Sequence, residues 1–239
     1  MIAEISEVWV YLRATPLVWL TATVLAYVMG VWLHERGGRN PLLNPVAVAV
    51  LLLIPVLVAT GTNYQTYFEG AQFVHFLLGP ATVALAVPLY QNVREVRRAA
   101  LPMAAALLAG VVTAVVSAVG IAMALGASPE TVRSLAPKSV TTPIAMGIAE
   151  KIGGLPSLTA ALVIATGIIG AIAGTPLLNR LGLRDWRARG FAVGVAAHGI
   201  GTARAFQLND VAGAFAGIGM ALNGLATAVL VPLLLTLIA

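Results

Sequence analysis

The chain has 239 residues, of which 59% are hydrophobic and 10% charged, where a soluble domain carries roughly 25% charged residues; its mean hydropathy is +0.94. That excludes a soluble globular domain and leaves a polytopic membrane protein, with room for about seven crossings of about 20 residues plus loops. The net charge of +5 does not imply a nucleic-acid partner, because the basic residues sit in short clusters between apolar runs, the pattern that orients a membrane protein.

The first thirteen residues carry Glu4 and Glu7, unlike the basic start of a cleavable signal peptide, and read as an amphipathic lead-in. Apolar stretches long enough to span lie at 14–33, 45–61, 71–90, 101–125, 156–178, 190–207 and 211–238. Segment 131–153 is apolar too, but it is broken by Pro137-Lys138-Ser139-Val140-Thr141-Thr142-Pro143 and closed by Gly153-Gly154. Helices are the expected element throughout, since every backbone amide in lipid must be satisfied and no ten-residue alternating pattern recurs. The expected fold is therefore all-α: a single membrane domain over 1–239 with a first span and loop (14–44), two units (45–125 and 156–239) and the broken segment between them (126–155).

Arginines cluster after the first span (Arg36, Arg39), the third (Arg94, Arg97, Arg98) and the fifth (Arg180, Arg184, Arg187, Arg189). These clusters share one side of the membrane only if 131–153 enters and leaves by the same face. The positive-inside tendency therefore favours a re-entrant hairpin over a kinked full span, with a cytoplasmic C-terminus. The two three-span units each carry a glycine-containing interruption in the middle span, Gly79-Pro80-Ala81-Thr82 and Gly199-Ile200-Gly201-Thr202. Such units face opposite ways, which is the inverted-repeat plan of many secondary transporters.

Polar groups inside membrane spans are costly unless satisfied, and usually line a cavity or pathway. In the hairpin, Pro143 suits the first turn of a helix and Thr141 or Thr142 its cap. The exposed amides of that helix, with Ser139 and Lys138, would form an anion site suited to a carboxylate. The alternative is a helix merely kinked by Pro137 and Pro143. In the second interruption, Gly199 and Gly201 would loosen the helix, Thr202 would cap the helical stretch after it, and Arg204 offers a planar fork for a carboxylate. His198 could hold or relay a proton, although a lone histidine between alanines is often a satisfied core residue. Thr82 occupies the matching place in the first unit. Tyr64 and Tyr67 read as interfacial aromatics at the end of the second span. Asn223, alone in an apolar helix, reads as a residue bonding across to a neighbour.

Catalytic signatures are missing from the sequence: there is no Gly-x-Ser-x-Gly elbow, His-Glu-x-x-His pair or phosphate-binding loop. The three histidines share no metal-ligand spacing and there are no cysteines, so neither an enzyme nor a metal or other cofactor is expected.

The chain resembles the LrgB/CidB family. The resemblance rests on Leu42-Leu43-Asn44-Pro45, the run from Gly79 to Tyr90, Pro137 to Ala145, Ile152 to Pro156, and Ala197 to Arg204. It covers nearly the whole chain after about residue 14. It implies a bacterial inner-membrane protein of antiholin-like or holin-like type, implicated in controlling murein hydrolase export and autolysis, beside a small LrgA/CidA-like membrane partner. It also implies a link to small carboxylates, because the plant relative is a plastid glycolate/glycerate transporter and bacterial relatives have been connected with pyruvate. Two functions are therefore carried forward. One is a carboxylate transporter, with proton coupling open to it, that binds through Lys138, Ser139, Thr141, Thr142, Pro143, His198, Gly199, Gly201, Thr202, Arg204 and Thr82. The other is a regulator that assembles with its partner or with itself through a small-residue face of 211–224. Residues alone lean toward transport, since an association module gains nothing from a buried Lys and Arg.

Overall fold

A computed structural model describes residues 16–77, 80, 90 and 93–238. The described helices are α1 (Pro16–Arg36), α2 (Pro45–Ala59), α3 (Tyr64–Phe76), α4 (Val93–Arg98), α5 (Ala100–Ala124), α6 (Pro129–Leu135), α7 (Thr142–Lys151), α8 (Pro156–Arg180), α9 (Trp186–Leu208) and α10 (Asp210–Ile238), with a short 3-10 turn at Pro41–Leu43. Among them α1, α5, α8 and α10 are long and apolar enough to cross a membrane. The protein is an all-α polytopic membrane protein. Its outward surface is correspondingly greasy, with Leu101, Leu51, Ile169, Leu225 and Val229 largely exposed, an arrangement that water would penalise and lipid does not.

The helices fall into two compact units, α1–α3 and α4–α10. In the first, the Asn44 side chain accepts from the amides of Val46 and Ala47 at 2.9 and 3.2 Å, and Pro45 opens α2. This N-cap followed by proline is a strong helix start. Gly30 lets α1 lie against the Pro45 backbone, where an added Cβ would come within 2.6 Å of the carbonyl oxygen. The structure corrects the reading of Tyr64 and Tyr67 as the end of the second span. They open α3 instead, and Tyr67 packs edge-on against Trp19 of α1 at 6.0 Å and shares a 3.1 Å hydrogen bond with Thr23.

In the second unit, α9 and α10 form a tight pair. Gly190 and Gly194 lie one turn apart on α9 and meet the carbonyls of Ala212 and Ala216 so closely that a Cβ at either would collide with backbone. Small residues four apart are what allow membrane helices to approach this closely. Asn209 turns the chain between them, its side chain accepting from the Val211 and Ala212 amides. The core is dominated by β-branched residues, among them Val111, Val115, Val119, Val140, Val163 and Val231.

Segment 129–151 folds as two short helices of 7 and 10 residues joined by the non-helical stretch 136–141. Each is far below the roughly 20 residues needed to span. Ser128 caps α6 by accepting from the Thr131 amide. The exit of the motif is bonded back to the last turn of α6: the Leu155 amide donates to Ser134 Oγ at 2.7 Å, and Thr159 Oγ1 donates to the Ser134 carbonyl at 3.0 Å. Gly153 sits at φ +75° and Gly154 lies against the Ser134 backbone, where a Cβ would be 2.9 Å from its amide nitrogen. Both glycines are required, one for its dihedral and one for the approach. The segment is thus a pair of short helices around a non-helical tip, a hairpin in form, and not one helix kinked by its two prolines.

Candidate functional site

The hairpin tip supplies one wall of a hollow of about 850 Å³ within the second unit. Lys138 and Ser139 come from the tip. A face of α5 (Pro102, Ala106, Gly110, Ala114) and the first half of α9 (Ala188, Phe191, Ala192, Val195) supply most of the rest, with Phe215 of α10 and with Arg98, Asp185 and Arg187 also lining it. Pro102, Ala106, Gly110 and Ala114 recur every fourth residue, as do Ala188, Ala192 and Ala196, so small side chains face the space from both helices. The volume is at the upper end of the usual range for ligand sites, about 300–1,000 Å³, and the mostly apolar lining with few polar groups is typical of them.

Electrostatically the hollow is positive. Asp185 is occupied by Arg187, which donates from Nε at 3.1 Å and from Nη2 at 2.6 Å. Those bonds, with the Arg187 amide, pull the Asp185 carboxyl down to about 2. Asp185 is also the cap of α9, accepting from the Arg187 backbone at 2.8 Å. Lys138 makes a long contact to Ser139 Oγ at 3.4 Å, and no carboxylate among the described residues lies within ion-pair distance of it. An ammonium at such a place calls for an anionic partner.

The other expected binding residues are arranged differently. Thr141 occupies the N-cap position of α7 but makes no side-chain cap bond, and Pro143 is the second helical residue. Neither they nor Thr142 line the hollow. The second break is real but lies earlier than expected: the dihedrals leave the helix at Ala197 (φ −129°, ψ 17°) and His198 (φ 40°, ψ −136°), not at Gly199 or Gly201. Gly201 serves packing, since a Cβ there would lie 2.6 Å from that of Ala197. Thr202 is not a cap; its hydroxyl donates back to the His198 carbonyl at 2.8 Å. His198 is 4% exposed and its Nε2 lies 2.9 Å from the Val163 carbonyl. A carbonyl can only accept, so Nε2 carries the proton. The ring rests on Gly167, where a Cβ would come within 2.6 Å of it.

Lys138 and Arg204 do not share a hollow. Arg204 lines a separate crevice of about 20 Å³ beside Trp186 and Arg189, space for little more than a water molecule, and donates to Gln207 at 3.0 Å. The pairing of the two cations around one small acid is thereby corrected. Thr82 lies outside the described residues, as does most of the Gly79–Thr82 interruption. The expected association face on 211–224 is also corrected: Gly213 packs on Phe206, Gly219 on the Phe191 backbone and Gly224 on Ile144. Sequence reasoning missed Arg189, a buried guanidinium that donates to Asn179 and to the Leu183 carbonyl at 2.8 Å each and so clasps the α8–α9 turn. It also reduced Asn223 to a generic contact.

Residues 23–237 match the model of the LrgB-like family. The chain belongs to the LrgB-like family. It is 34% identical over 227 residues to the holin-like protein CidB of Staphylococcus epidermidis, covering 95% of this chain and 98% of that one. The holin-like protein CidB of Staphylococcus aureus is 32% identical over 221 residues, 92% of this chain and 96% of that one. The uncharacterized protein YwbG of Bacillus subtilis is 34% identical over 217 residues, 91% and 96% of the two chains. No solved structure matches the chain.

Proposed function

We propose that this chain is a holin-like regulator of the bacterial inner membrane, working with a small LrgA/CidA-like membrane protein to control murein hydrolase export and autolysis. The observation that carries this is the end-to-end likeness to relatives named holin-like, over 95% of the chain in one case. The loss of the shared Lys138–Arg204 site supports it, because that pairing is the main reason to prefer transport. Since the glycine face of α10 is used inside the molecule, the partner meets another surface. The test is deletion of the chain from its host, with murein hydrolase activity in the exported fraction and the rate of autolysis as readouts, and co-purification of the small partner. A change in both readouts with a stable complex is expected; unchanged export and autolysis with no complex would overturn the proposal.

A second function is favoured by one observation: Lys138 lines a roomy hollow, and no carboxylate among the described residues lies within ion-pair distance of its ammonium. On this reading the hollow admits a small carboxylate such as glycolate, lactate or pyruvate, held by Lys138 and Ser139. A ligand that binds only the folded state raises its stability, by about 2.7 kcal/mol at a hundred times Kd. Thermal shift of the purified protein by these acids, lost in Lys138→Ala, would support it, whereas an equal shift in that variant would remove it.

A further inference from the structure

Asn223 lies near the middle of α10 and is 1% exposed. A primary amide at that depth is tolerated only when its hydrogens and oxygen find partners. Here both hydrogens do: Nδ2 donates to the Ser139 carbonyl at 3.0 Å and to the Val195 carbonyl at 2.9 Å. Its Oδ1 accepts from Thr227 Oγ1 at 3.2 Å, one turn further along α10. Thr227, itself 3% exposed, fixes the direction of the amide. With the oxygen turned to the hydroxyl, the nitrogen must face the two carbonyls, and a flipped amide would set oxygen against oxygen.

The two acceptors are not ordinary helix carbonyls. Ser139 belongs to the non-helical tip of the hairpin, and Val195 stands two residues before the break in α9. In a continuous helix the Val195 carbonyl would accept from residue 199, but the intervening dihedrals at Ala197 and His198 are not helical. Both carbonyls therefore belong to places where the helical ladder is interrupted, and one side chain from a third helix satisfies the two. These partners are 84 and 28 residues from it in sequence.

We propose that Asn223 is a positioning residue that latches the hairpin tip to the broken helix, so that Lys138 and Ser139 are held in fixed relation to the Val195 wall of the hollow. Release of the latch frees both carbonyls at once, and the tip and the break loosen together. The latch is a property of the second unit whichever substance or partner the protein serves.

Because the chain lacks cysteine, single cysteines report local opening without further engineering. Ser139→Cys and Val195→Cys, both at buried positions lining the hollow, are made in the full chain in native membrane vesicles. Ala114→Cys, on the α5 wall, serves as the control. Labelling by a water-soluble methanethiosulfonate is timed with and without Asn223→Leu. The expected result is faster labelling at 139 and 195 together, by roughly tenfold to a hundredfold, the factor for leaving a buried polar group unsatisfied, with position 114 unchanged. Unchanged rates, a rise at only one of the two positions, or an equal rise at all three would overturn the latch. Should Asn223→Leu fail to reach the membrane, Thr227→Val decides: it leaves Oδ1 without its donor, so the amide is held less firmly and both rates should rise by a smaller factor, with Thr227→Ser restoring them. No change in Thr227→Val, or no rescue by Thr227→Ser, would equally overturn it. Labelling involves neither murein hydrolase export nor any carboxylate, so its outcome is separate from that of the proposed function.

Discussion

The hairpin tip and the break in α9 are both interruptions of helices in one unit, yet they are built to opposite ends. The tip is framed by Pro137 and Pro143 and turns a cation toward open space. The α9 break has no proline, and its polar groups are consumed internally: His198 by the Val163 carbonyl, the His198 carbonyl by Thr202, and the Val195 carbonyl by Asn223. A proline break is written into the chain locally, by a ring that lacks the amide and clashes with the preceding turn. A break at φ 40° on a histidine persists only because its surroundings over-determine it. The first kind of interruption leaves a cation facing a hollow, and the second is a joint in the scaffold.

The comparison breaks most readily at the support of the joint. Gly194→Leu drives a side chain into the Ala216 backbone, and overpacking of this kind costs about 1–3 kcal/mol or more. The folded yield in detergent, read by size-exclusion chromatography, should collapse, whereas the equally apolar change Ile169→Leu at an outward position should leave it unaltered. A smaller effect is expected at the break itself. His198→Ala loses the bond to Val163 and keeps a side chain at a positive φ, so it should lower thermal stability by about 0.5–1.5 kcal/mol, the worth of one hydrogen bond. His198→Gly loses the same bond but suits the dihedral, so it should melt above His198→Ala. If the order is reversed, the backbone at 198 is not strained and the joint has been misread.

The least effect belongs to the rim of the hollow. The Asp185 carboxyl is held near 2, below its ordinary 3.8, so its contribution is complete above the ordinary value and is lost as pH falls through about 2. Because Asp185 and Arg187 are exposed, the pair is worth at most about 1 kcal/mol. Asp185→Asn keeps a capping side chain and should change the melting temperature at pH 7 only slightly, with the difference from wild type vanishing in strong acid.

Much of the scaffold can be read from local signals. Asn44-Pro45 and Ser128-Pro129 mark helix starts, and Gly153-Gly154 marks the exit of the hairpin. The position of the α9 break is not legible, because Gly199 and Gly201 advertise flexibility while the distortion falls on Ala197 and His198. What selects those residues is tertiary: the space above Gly167 for the imidazole and the amide of Asn223 for a displaced carbonyl. The separation of Lys138 from Arg204 escapes the sequence for the same reason, since residue type says that a cation is present but not which hollow it faces. Gly190 and Gly194 could have been found, being four residues apart on one helix face.

The sharpest test of the contrast between the two interruptions is the accessibility of one cysteine at each. Lys138→Cys and Ala197→Cys are exposed to a membrane-impermeant thiol reagent applied to the face carrying Arg98 and Arg187. Rapid modification at 138 with none at 197 is the expected result. Modification of both at similar rates, or of 197 alone, would contradict a tip that opens on the hollow and a joint sealed within the scaffold.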